Sequence, residues 1–182
     1  MRKNSLNRAF AAISIVVGVL LLSPLASSLP TGIGGSSIQT AGCNCHNSNA
    51  DSTVTADIQG FPEQYNASET YRLTISFDGG PSQIGNINLG GFNLWASEGA
   101  FTPTDGLTSL WAGSVNEVVH TEAGNDYKSW VVDWTAPVSG KEVDFILHVN
   151  SVNGDGLQTG QLDQWNRADY TCLLYTSPSP RD

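Results

Sequence analysis

TYRLTISFDGGP, Thr70–Pro81, decides the fold class. Tyr71, Leu73, Ile75 and Phe77 alternate with Arg72, Thr74 and Ser76, and Asp78-Gly79-Gly80-Pro81 ends the run. A period of two with one apolar face belongs to a half-buried β-strand, because successive side chains leave opposite faces of a pleated backbone. The same pattern recurs outward along the chain. Val54, Ala56 and Ile58 alternate before it; Phe92, Leu94 and Ala96 follow. Trp130, Val132 and Trp134 alternate up to Ala136-Pro137, and Val143, Phe145, Leu147 and Val149 up to Asn153-Gly154. Leu107–Ala112 and Glu117–Thr121 read as two further short strands. No segment keeps a helical period. The fold class expected is all-β: an immunoglobulin-like antiparallel β-sandwich of about seven to eight strands.

The ends read differently from this body. Residues 1–28 place Arg2, Lys3 and Arg8 before an apolar run from Ala9 to Leu22, then small residues near Ala26 and Ser28. That is the layout of a secretory signal peptide cut after Ser28. The chain is therefore expected to be secreted, outside the cytoplasm. Residues 29–42, including LPTGIGGSSIQT, read as an extended, flexible lead rich in Gly, Ser and Thr. The domain proper is expected over 43–171. Residues 172–182, CLLYTSPSPRD, read like a translated sequencing adapter, with the native end and its anchor missing beyond them.

Between Leu29 and Thr171 the chain has four basic residues (Arg72, Lys128, Lys141, Arg167) against sixteen acidic ones, a net charge of −12. Such a surface repels nucleic acid and anionic lipid, so no nucleic-acid partner is expected. There is no nucleophile elbow, zinc-protease helix or phosphate loop, which argues against an enzyme.

The chemistry concentrates in AGCNCHNS, Ala41–Ser48. Three readings stay open. A Cys43–Cys45 disulfide suits an exported chain, but one intervening residue strains the ring. Two thiolates and an imidazole could clip Zn²⁺ or Cu(I), although zinc knuckles want two to four residues between cysteines. Haem c attaches through Cys-x-x-Cys-His, and here the order of groups is right with one residue missing. In that case His46, directly after Cys45, is the axial ligand on one side. Met1 is the only methionine and leaves with the signal peptide, so the opposite ligand is His120, His148, water or a partner's group. His148 sits on the face of Asp144 and Ile146, away from the main core. Asn153, Asp155 and Asp163 in a Gly-rich loop are looser candidates for calcium, lacking acids at the first and last EF-hand positions.

Taken together, GGFNLWAS, EVVHTEAG, SWVVDWTAP and VDFILHVNSVNGDG after a Cys-Cys-His motif resemble the secreted Reeler-like domains of bacteria and archaea known as choice-of-anchor V. The resemblance spans about Gly34 to Trp165. It implies a β-sandwich and a functional motif at Cys43, Cys45 and His46, with His120 the histidine ahead of the Trp-x-x-x-Trp strand. It also implies a C-terminal anchor to the cell envelope. A haem-bearing member would work with a redox partner protein. One without haem would be a surface binding or adhesion module whose cysteine pair is a staple or metal clip.

Overall fold

The structure, a computed structural model, describes residues 30–155 and 162–176. The signal-peptide reading and the end of the adapter-like tail lie outside the described residues. Among the described residues one α-helix, α1 (Ser36–Ala41), precedes ten strands. The strands are β1 (Val54–Gln59), β2 (Gln64–Tyr65), β3 (Thr70–Gly79), β4 (Gly90–Ala96), β5 (Ala100–Pro103), β6 (Thr108–Leu110), β7 (Glu117–His120), β8 (Ser129–Thr135), β9 (Glu142–Ser151) and β10 (Gln164–Leu174). They form a four-stranded sheet in the order β1-β3-β8-β5 and a six-stranded sheet in the order β2-β10-β9-β4-β7-β6. Pairing is antiparallel except between β2 and β10, which run parallel over two residues.

The seven alternating segments read from the sequence are all strands, though Leu107–Ala112 shortens to β6 followed by a 3₁₀ turn at Trp111–Gly113. Three strands are additional. β2 and β5 span only two and four residues, too short for a period to show. β10 carries Asn166, Arg167 and Asp169 and pairs with β9 through ten residues, so its partner rather than its composition makes it a strand.

The inward faces meet in one core. Leu73, Ile75 and Phe77 of β3 and Trp130, Val132 and Trp134 of β8 pack against Phe92 and Leu94 of β4 and Phe145, Leu147 and Val149 of β9. Each such side chain contributes roughly 1.5–3 kcal/mol when fully buried. The indoles keep their polar atoms satisfied, as buried tryptophans must: Trp130 Nε1 donates to Gly124 O at 2.8 Å, Trp134 Nε1 to Glu98 O at 3.2 Å. β10 runs three residues past Thr171, where the sequence reading ended the domain. Cys172, set apart with the tail, is fully buried in the core opposite Val143.

The lead is not extended throughout its described part. It forms α1 and a strap lying on the outer face of the six-stranded sheet. Phe92 and Leu94 point inward, so Gly91 and Asn93 point outward; by the same alternation His148, Asn150, Trp165, Glu117 and Val119 face out. The strap binds this face through backbone groups. Gly32 N–H donates to His120 O at 3.0 Å, and Gly35 N–H donates to the buried Glu117 carboxylate at 2.7 Å. Its glycines permit close approach rather than motion. A Cβ on Gly32 would lie 2.5 Å from Val119 Cβ, and one on Gly34 2.6 Å from the Trp111 ring. His148 faces away from the main core, as the sequence indicates, and is nonetheless buried: it is 1% exposed, with its ring 6.1 Å from that of Trp165.

Candidate functional site

α1 ends at Gly42, whose φ of 66° and ψ of −157° turn the chain back onto the sheet. A Cβ there would lie 2.2 Å from the Trp165 ring, so the strap touches the indole directly. The motif follows as a tight turn closed by His46 N–H donating to Cys43 O at 3.0 Å. Two bonds from β10 pin its far side: Trp165 Nε1–H donates to Asn47 O at 2.7 Å, and Asp51 N–H to Trp165 O at 2.7 Å.

Between strap and sheet lies a cavity of about 110 Å³, or about 810 Å³ of empty space with its mouth counted. The smaller figure is many times the ~10–15 Å³ that one water needs. Cys43, Cys45, His46 and His120 all line it. Ile33, Ile38, Phe92 and Val152 supply apolar wall, and Asn93 and Asn150 polar wall. Asn93 Nδ2 donates to Ile33 O at 3.2 Å and to Glu117 Oε1 at 2.8 Å, which fixes its amide; its buried Oδ1 has no partner among the described residues. Asn150 Oδ1 is likewise buried without a partner among them.

The two imidazoles are held by different elements. His46 Nδ1 lies 2.9 Å from Asp163 Oδ2. His120 ends β7, and its Nδ1 lies 3.1 Å from Phe92 N and 3.2 Å from Phe92 O, so either tautomer finds a backbone partner. The bare Cα of Gly91 makes room for this ring: a Cβ would sit 2.2 Å from His120 Cε1. Burial pushes the His120 pKa below its usual value, the Phe92 bond acts against that, and charge on His46 adds to the lowering. A protonated His46 therefore disfavours a second charge at His120. Nε2 of each ring has no hydrogen-bond partner among the described residues.

Cys43 and Cys45 are free thiols. Burial, with a smaller effect of charge at Cys45, pushes the Cys43 thiol up to about 12. It is therefore protonated at neutral pH, and the thiolate that binds metals is suppressed. Among the described residues no three His, Cys, Asp or Glu side chains are grouped to hold a metal ion. The looser calcium candidates form their own network. Asp163 Oδ1 accepts from Asn153 N–H at 3.0 Å, Asn153 Nδ2 donates to Asp155 Oδ2 at 3.0 Å, and Asp155 N–H donates to Asn153 Oδ1 at 3.0 Å. Sequence reading missed Asp163 as the partner of His46, since nothing in the spacing links residues 117 positions apart. It missed Asn93 and Asn150 because outward strand positions normally read as solvent-facing.

No protein-family model matches the chain, and no curated protein matches it. Among solved structures it is similar to the Reelin-N domain of F-spondin, at 22% identity over 65% of this chain and 87% of that one, TM-score 0.40. The human F-spondin reeler domain gives 19% identity over 65% and 91%, TM-score 0.40. A conjugative transposon lipoprotein from Bacteroides eggerthii gives 10% over 67% and 98%, TM-score 0.39. These are likenesses of fold, and nothing about the site rests on them.

Proposed function

We propose that this chain is an exported, cell-surface-anchored β-sandwich whose strap carries a c-type haem for electron transfer or redox sensing. The observation that carries the reading is that Cys43, Cys45, His46 and His120 line one cavity although His120 belongs to a different element. The residue types support that group, with one residue fewer between the cysteines than haem attachment uses. Two thiols stand in the order needed for thioether links, with an imidazole directly after the second. A second imidazole lines the same cavity, both rings are tethered through Nδ1, and the wall is largely apolar. The cavity opens to solvent, which leaves room at its mouth for a group larger than its enclosed part. Haem bound here would supply one-electron chemistry at iron; His46 and His120 would hold it, and Ile33, Ile38 and Phe92 would exclude water. The exported context expected from residues 1–28 also suits the competing reading, a binding module with a cysteine staple or metal clip.

Export rests on the arrangement of residues 1–28, and anchoring on the family resemblance. Among the described residues no helix is long and apolar enough to cross a membrane.

The test is intact mass and a visible spectrum of protein matured with cytochrome-assembly machinery. A mass higher by one haem with a Soret band is expected. A Soret band surviving in the Cys43→Ala/Cys45→Ala double variant rejects covalent attachment, and a mass lower by two hydrogens supports the staple.

A further inference from the structure

We infer that Asp163 is a positioning residue that sets the tautomer of His46, so that the neutral ring carries its proton on Nδ1 and offers the Nε2 lone pair. The site then suits an electron-pair acceptor, such as a metal centre, rather than an anion or a hydrogen-bond acceptor. This deepens the proposed function and rests on it only for what Nε2 meets; the tautomer itself depends on groups of the protein alone.

The donors and acceptors around one buried carboxyl decide the tautomer. Asp163 is 2% exposed, so its oxygens must find partners within the protein. Oδ1 accepts from Asn153 N–H at 3.0 Å. Oδ2 lies 2.9 Å from His46 Nδ1. A carboxylate only accepts, so the ring nitrogen facing it must donate. His46 Nε2, with no partner among the described residues, is left as the acceptor atom. Carboxylates behind metal-bound histidines fix tautomer and orientation in this way.

Asp163→Asn tests the assignment with little change of shape. Asn153 N–H can only donate, so the amide oxygen of the substituted side chain must turn toward it. That leaves the amide N–H₂ facing His46 Nδ1, which must then accept. The proton moves to Nε2, and the lone pair there is lost. An amide in place of the carboxylate of an Asp–His pair is known to hold the wrong tautomer in this way.

The readout is ¹⁵N NMR of the His46 ring in haem-free protein, at a pH high enough that the ring is neutral. Wild-type protein is expected to show Nδ1–H, and Asp163→Asn to show Nε2–H with the rest of the amide spectrum retained. Nε2–H in wild-type protein overturns the inference, as does Nδ1–H persisting in the variant. Should the variant fail to fold, the wild-type assignment decides alone. The haem assay is read separately: protein without a Soret band but with Nδ1–H keeps this inference and rejects the haem. A Soret band together with Nε2–H in the haem-free wild type does the reverse.

Discussion

Gly42→Ala should detach the motif from the sheet while leaving the sandwich folded. Three costs are visible. The backbone at Gly42, φ 66° and ψ −157°, lies in a region essentially reserved for glycine, where another residue costs about 1–3 kcal/mol. The added methyl would also lie 2.2 Å from Trp165 Cη2 and 2.3 Å from Cζ3, so ring or strap must move. Overpacking of this kind costs about 1–3 kcal/mol. A displaced indole loses its 2.7 Å bond to Asn47 O, worth about 0.5–1.5 kcal/mol. The total is about 2.5–7.5 kcal/mol, by addition of these ranges. It falls on the strap, because the strap's few hydrogen bonds are a weaker hold than the core facing the other way. Amide exchange should therefore speed up at Cys43–Asn47, the Trp165 indole resonance should shift, and the urea midpoint of the sandwich should move little. Unchanged protection at Cys43–Asn47 with an unchanged indole resonance would refute the reasoning. A collapse of the whole domain at one midpoint would show instead that strap and sandwich fold as one unit.

Two further outcomes follow from the core and from pH. Trp134→Ala removes a fully buried indole that packs with its ring centroid 4.9 Å from Phe145 and 5.9 Å from Tyr65, and should destabilise the domain by about 3–5 kcal/mol in urea titrations. A loss under about 1 kcal/mol would mean that the two sheets do not meet there. Burial, reinforced by Arg167 and opposed by Asp169, lowers the His148 pKa to about 4. The unfolded chain takes that proton first, near the ordinary value of about 6.5, so stability is complete above about pH 6.5 and declines as pH falls toward 4. The limit of this effect is about 3 kcal/mol, and the buried His120 shifts in the same direction. Wild-type urea midpoints should fall between about pH 7 and about pH 5, and His148→Gln should lessen the fall; an equal fall in both would remove His148 as its source.

Much of the sandwich is legible along the chain because burial on one face of a strand writes itself as a period of two. Tyr71 to Phe77, Trp130 to Trp134 and Val143 to Val149 carry that record without reference to any neighbour. β10 does not, because its strand character comes from pairing with β9. The motif was legible for a different reason: thiols and an imidazole within four residues are unusual chemistry wherever they fall.

Local sequence alone determined the β class, the main strands and the clustering of Cys43, Cys45 and His46, since each depends on residues adjacent along the chain. Tertiary structure alone decided that the glycines of Gly32–Gly35 are packing contacts, that His148 is covered, that His120 shares a cavity with the motif and that Asp163 stands behind His46. Those facts depend on which surfaces meet when a strap folds over a sheet, and side chains far apart in the chain carry no trace of one another until they touch.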